Sequence, residues 1–185
     1  MRTDPAYVGD FSLIILDIAQ NSVKAAANCI AVTIEESAFE YRLCVRDNGI
    51  GIDEKIISEK MSGNPDTKEI TGQGLFNLRK ISSASDGEMT ICSKPGDTVV
   101  TASFKKSSPN CPKLGEIARS IAVLFYLNPN LEISFCHVRG EQRISLCSQD
   151  ILKLPLRCAE RQYKIIEYIE QYLKKEYQIF GGSQI

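Results

Sequence analysis

The sequence predicts a two-layer α/β sandwich, with one face of the sheet covered by helices and the other more open. Two observations carry this. Helical apolar periodicity opens the chain and returns near residues 74–85. Between and after these segments lie strand-like runs in which apolar and polar residues alternate. A period of 3.6 buries one stripe of a helix, and a period of 2 buries one face of a sheet.

The first helix is expected from Asp10, a good N-cap, to Ala27, with Asn28 suited to stop it. Its core stripe is Ile14, Ile18, Ser22 and Ala25. Two alternating runs follow, Ile30–Val32–Ile34 and Phe39–Tyr41–Leu43–Val45, joined through residues 36–38. A short helix is expected over Glu54 to Lys60, and another from Gly74 to Ser85. Strands over Glu88 to Ser93 and Thr98 to Lys105 join through a Pro95-Gly96-Asp97 turn.

Ser107 to Pro112 reads as a linker and divides the chain into residues 1–107 and an extension, 108–185. The extension reads as αββα. It has a helix over Lys113 to Tyr126, a hairpin of Leu131 to Val138 and Gln142 to Cys147 around Arg139-Gly140, and a helix over Ala159 to Gln178. So small a unit is expected to pack on the first sheet or on a second copy of the chain, which leaves a homodimer open. No chemistry is legible in it.

The 185 residues, 43% hydrophobic, suffice for one core. A formal net charge of −1 gives no basic excess, so nucleic acid is not an evident partner. No apolar run approaches the roughly 20 residues of a membrane span. The start MRTDPAYVGD lacks the pattern of an export leader, so the expected location is cytoplasmic. Seven cysteines, odd in number and without a CxxC pair, read as buried, reduced thiols acting as small hydrophobes.

Three short motifs carry the chemistry: Asp17-Ile-Ala-Gln-Asn21-Ser22, Asp47-Asn-Gly49-Ile-Gly51-Ile52, and Gly72-Gln-Gly74-Leu75. In this order they describe a pocket for an adenine nucleotide and its magnesium ion. Asp17 and Asn21, four apart on a helix, share a face. An amide oxygen beside a carboxylate suits magnesium, which takes its remaining ligands from water and phosphate. Lys24 lies on nearly the same face and reaches a phosphate as a point charge. Asp47 ends a strand, where its carboxylate can accept the exocyclic amine of adenine. Gly49 and Gly51 permit close backbone approach to a ring. Gly72 and Gly74 precede a helix whose free amides favour phosphate.

These residues resemble the Bergerat-fold ATPases, the superfamily of DNA gyrase B, heat-shock chaperones, histidine-kinase catalytic domains and mismatch-repair ATPases. LDIAQNSVKA (16–25) looks like its N-box, VRDNGIGID (45–53) like its G1 box, and TGQGLFNLRK (71–80) like its G2 box. The resemblance covers residues 9–106 and implies a mixed, mainly antiparallel sheet. It implies nucleotide contacts at Asn21, Lys24, Asp47, Gly49, Gly51, Ile52, Gly72, Gly74 and Leu75, with Asn21 on the metal. The turn Ser93 to Thr98 resembles the family's closing turn, whose threonine, here Thr98, approaches the adenine. The chain also looks like small stand-alone ATP-binding proteins of anaerobic bacteria that carry a similar tail.

Two departures matter. Many members have glutamate where this chain has Asp17, shorter by one methylene, and base catalysis depends on reach. The segment between the second and third motifs, Ile56 to Thr71, lacks the aromatic stretch of the kinases and reads as a polar lid. No phosphoacceptor hairpin precedes the motifs, so His137 reads as a structural or surface residue and the chain as no conventional histidine kinase. The resemblance implies ATP hydrolysis, or phosphoryl transfer to a serine of a regulatory protein, with Asp17 as base. The alternative is a nucleotide-gated module that binds a protein partner with little turnover. A third reading, an interaction protein that binds no nucleotide, is disfavoured by the intact motifs.

Overall fold

The structure, a computed structural model, describes residues 9–62, 73–153 and 158–180. Six strands form one sheet in the order β3-β4-β2-β1-β5-β6. They are β1 (Cys29–Glu36), β2 (Glu40–Asp47), β3 (Met89–Lys94), β4 (Asp97–Lys105), β5 (Glu132–Arg139) and β6 (Gln142–Cys147). All neighbours are antiparallel except β1 and β5, which run parallel from Cys29↔Glu132 to Glu36↔Arg139. The hairpin of the extension therefore continues the sheet beyond β1. An isolated two-stranded hairpin is marginal in water. Here Ile133 and Phe135 of β5 come into line with Ile30 and Val32 of β1, and all four are buried.

The helices are α1 (Phe11–Lys24), α2 (Glu54–Ser62), α3 (Gln73–Ala84), α4 (Ile117–Leu127), α5 (Ser148–Leu152) and α6 (Cys158–Ile179). Across the covered face, α1 packs on α3 and α4, and α4 packs on α6. The core lies between this layer and the alternate residues Ile30, Val32, Ile34, Leu43, Val45, Val100 and Ala102. At the end of the sheet where α1 begins, Phe11 meets Tyr41 and Phe104 edge-on, at 5.2 and 5.0 Å between centroids. No described helix is long and apolar enough to cross a membrane.

Asp10 caps α1 as expected, its carboxylate accepting from Leu13 N at 3.1 Å. The other end differs. The helix stops at Lys24, and Ala26 rather than Asn28 makes the left-handed turn, at φ 55°. Ala27 N then donates to Ser22 O at 3.1 Å, as in a Schellman cap. The reason is tertiary. The Ala25 carbonyl leaves the helix ladder to accept from Ile50 N at 2.9 Å. An exposed alanine in left-handed backbone is strained where glycine is not, so Ala26→Gly is expected to stabilise the fold by about 0.5–1 kcal/mol. Urea unfolding should show a higher midpoint at unchanged slope.

Two other boundaries also depart from expectation. The helix expected from Lys113 begins only at Ile117, because the Lys113 carbonyl accepts from Phe11 N at 2.8 Å and Gly115 adopts φ 64°. The five-residue α5 carries too little periodicity to be read from sequence. The thiols are corrected too. No described cysteine side chain is buried, and Cys44, Cys92, Cys136 and Cys147 stand on the open side of their strands, opposite the buried positions.

His137 is structural and fully buried rather than on the surface. Its Nδ1 lies 2.9 Å from the Tyr177 hydroxyl of α6. Its Nε2 lies 3.2 Å from Glu36 Oε2, without the geometry of a hydrogen bond. Lys106 donates to Glu36 at 2.7 Å, and Arg139 stands 4.0 Å from it. Burial pushes the His137 pKa down from 6.5 to about 4, against the opposing pull of Glu36 and with help from Arg139 and Lys106. The unfolded chain thus takes up this proton before the folded one does. The His137 contribution to stability is expected to be full above about pH 7 and to fall as pH drops through 6.5 toward 4, by about 2 kcal/mol at pH 5. Urea midpoints between pH 7.5 and 5 should show this slope. His137→Gln should flatten it, whatever the substitution does to stability at pH 7.5.

Candidate nucleotide-binding site

The first and second motifs meet at one end of the sheet, where α1 ends and β1 begins. Asp47 is the last residue of β2, in register with Ile30 on one side and Thr98 on the other. Its side chain falls on the helix-covered face and is 8% exposed. Ser22, buried on α1, donates from Oγ to Asp47 Oδ2 at 2.6 Å, and Gly49 N donates to Oδ1 at 2.9 Å. Two donors thus aim the carboxylate, and each oxygen keeps a lone pair for a further donor.

Thr98, also buried, shares a hydrogen bond of 2.8 Å with Ser93 across the β3–β4 pair. Ser93 Oγ in turn accepts from Ile52 N at 2.8 Å. Ile52 itself is half-buried against the core. The second motif is thereby tied to the β3–β4 hairpin, and Gly96 N donates to Gly49 O at 2.8 Å.

The two glycines of the turn answer first to protein rather than ligand. A Cβ at Gly49 would lie 2.6 Å from Ala25 O, and one at Gly51, where φ is 85°, would lie 2.9 Å from Lys94 C. Backbone packs on backbone here, and no side chain fits without a shift.

Asp17 and Asn21 lie one turn apart on α1, Asp17 exposed and Asn21 half-buried. The start of α3 packs against them. A Cβ on Gly74 would stand 3.2 Å from Asn21 Nδ2 and 3.3 Å from Asp17 O. The Asn21 Nδ2 is buried and has no hydrogen-bond partner among the described residues. A buried amide nitrogen without a partner is uncommon. Lys24 is exposed in the last turn of α1. Leu75 is buried in the core. Gly72 and residues 63–71 of the segment expected as a lid, 56–71, lie outside the described residues.

The structure brings together Asp17, Asn21 and Gly74 in one group, and Asp47, Gly49 and Thr98 in another. Ser22, adjacent to Asn21, joins the two. Its bond to Asp47 was missed in the sequence, where Ser22 reads as a member of the core stripe. The signal was there: a hydroxyl on an apolar stripe needs a buried partner. Ser93 reads in the sequence only as the start of the closing turn, and its bonds to Thr98 and Ile52 carry no local signal. A cavity of about 740 Å³ lined by Phe125, Leu131, Leu152 and Ile165 lies apart from these residues. No group of three or more His, Cys, Asp and Glu among the described residues could hold a metal by itself. A cation held here would draw most of its ligands from outside the protein, and the unpartnered Asn21 atom is the amide nitrogen, a donor that calls for an acceptor rather than a cation.

Among solved structures, the N-terminal domain of a DNA repair protein matches with a TM-score of 0.51 at 14% identity, over 75% of this chain. This chain spans about half of that protein, 52%. The Aquifex aeolicus MutL ATPase domain, solved with ADP, matches with a TM-score of 0.48 at 17% identity, over 85% of this chain and 68% of that one. No curated protein matches. The first likeness speaks for the fold alone. The model of the histidine kinase-, DNA gyrase B- and HSP90-like ATPases matches residues 8–108, more than half of the chain and all three motifs. With its described motif residues gathered at one end of a mixed sheet, the chain belongs to the histidine kinase-, DNA gyrase B- and HSP90-like ATPase family, whose domain binds ATP.

Proposed function

We propose that the chain is a magnesium-dependent ATP-binding protein that hydrolyses ATP or passes its terminal phosphoryl group to a hydroxyl of a protein partner. The observation that carries the reading is the Asp47 carboxylate. It is aimed by Ser22 and Gly49, borders Thr98, and is joined through Ser22 to the helix of Asp17 and Asn21. Asp47 would accept the adenine amine. Lys24 and the amides of Gly72 and Gly74 would hold phosphate oxygens. The Asn21 amide oxygen would hold magnesium, which when bound neutralises phosphate charge. Asp17 would take the proton of the attacking water or hydroxyl. Residues 1–107 would be the nucleotide-binding unit and 108–185 its extension. The lid over 56–71 would close on the nucleotide.

The shorter arm of Asp17 favours keeping a second reading, a nucleotide-gated module that presents a surface to a partner with little turnover. Calorimetric titration with ATP, with and without magnesium, followed by phosphate release over hours, separates the readings. Magnesium-dependent binding with turnover supports the enzyme. Binding without turnover supports the gated module. No binding in either condition defeats both.

A further inference from the structure

Asn48, next to the adenine-accepting Asp47, is exposed, yet both ends of its side-chain amide are hydrogen-bonded. Its Oδ1 accepts from the backbone amides of Asn28 and Cys29, both at 2.9 Å. Its Nδ2 donates to Asn28 Oδ1 at 2.6 Å. These bonds cross twenty residues of sequence and fasten the turn after β2 to the connection between α1 and β1. Ile50 N to Ala25 O, at 2.9 Å, is a parallel fastening. On the far side of the same connection, Glu132 N donates to Asn28 O at 2.9 Å, so the start of β5 joins the arrangement.

What these bonds fix is the separation between two halves of one site. The end of α1 carries Asn21 and Lys24, and the turn carries Asp47. From this we infer that Asn48 is a positioning residue, which sets the register between the adenine end and the phosphate end of the nucleotide site. The inference rests on the nucleotide reading above. A ligand spanning both ends should sense a loosened register, and a ligand held at the adenine end alone should not.

The test compares ATP with adenosine by calorimetry on the whole chain. Asn48→Ala is expected to weaken ATP binding about three- to tenfold, the worth of one or two net hydrogen bonds. Adenosine affinity should change by less than about twofold. Asn48→Asp keeps the acceptor for both backbone amides. The Asn28 amide can turn its nitrogen toward the new carboxylate, so this variant should bind ATP within about twofold of the parent. Asn28→Ala should repeat the Asn48→Ala pattern from the other side. A general loss of structure would lower both affinities together and would not be rescued by aspartate. The inference is overturned if Asn48→Ala binds ATP as tightly as the parent. It is equally overturned if the ATP and adenosine affinities fall by one factor, or if Asn48→Asp fares as badly as alanine. If the parent binds neither ligand, the nucleotide reading itself fails and the positioning role falls with it.

Discussion

Asp47→Asn is expected to weaken ATP binding by at least about 100-fold in a chain that still folds. The geometry explains why so small a change has so large an effect. Both carboxylate oxygens already accept, Oδ1 from Gly49 N and Oδ2 from Ser22 Oγ. An amide at this place has a single acceptor oxygen, and the immovable Gly49 amide claims it. The nitrogen then points toward Ser22 and the ligand. Serine can turn its hydroxyl to accept, so the fold survives. An adenine amine that approaches on the former Oδ2 side, itself a donor, would meet a donor. Losing a hydrogen bond to a charged acceptor costs about 1.5–3 kcal/mol, and leaving a buried donor unpaired costs about 1–3 more. Calorimetry with ATP, beside a urea midpoint for each protein, measures both halves of the claim. An Asp47→Asn variant that binds ATP within about threefold of the parent would remove Asp47 from the site.

The second large effect is on rate. Asp17→Asn should lower phosphate release by about 10²–10⁴-fold while ATP affinity stays within about threefold. Asp17 is exposed on α1, one turn before Asn21, and the α3 start packs beside it. Nothing in that placement makes its charge necessary to the fold, so an isosteric amide tests the proton transfer and little else. A variant that turns over as fast as the parent would exclude Asp17 as the base. A parent without measurable turnover would move the weight to the gated module.

Much of this was legible in the residues. The α1 stripe, the alternation of β1 and β2, and the Pro95-Gly96-Asp97 turn are local patterns, and the helices and strands they announce are present. The three motifs announced a nucleotide site, and the family match covers them. What was misread shares one cause. Ser22 belongs by periodicity to the core stripe, yet its partner Asp47 is twenty-five residues away. The α1 helix stops early because Ala25 O has a partner in the second motif. The cysteines look like core residues by type. Which side of a strand faces the helices, however, depends on where the helices pack.

By itself, then, the sequence determined the helices and strands other than α5, the family and the residues of its motifs. Periodicity, turn chemistry and short motifs are written within a few neighbouring residues. Only the tertiary structure decided that the extension's hairpin pairs in parallel with β1, which thiols face outward, and that Asn48 fastens the turn beside Asp47 to Asn28. Each of these depends on hydrogen bonds or packing between segments distant along the chain. A polar side chain shows that it needs a partner but not where in the chain that partner lies.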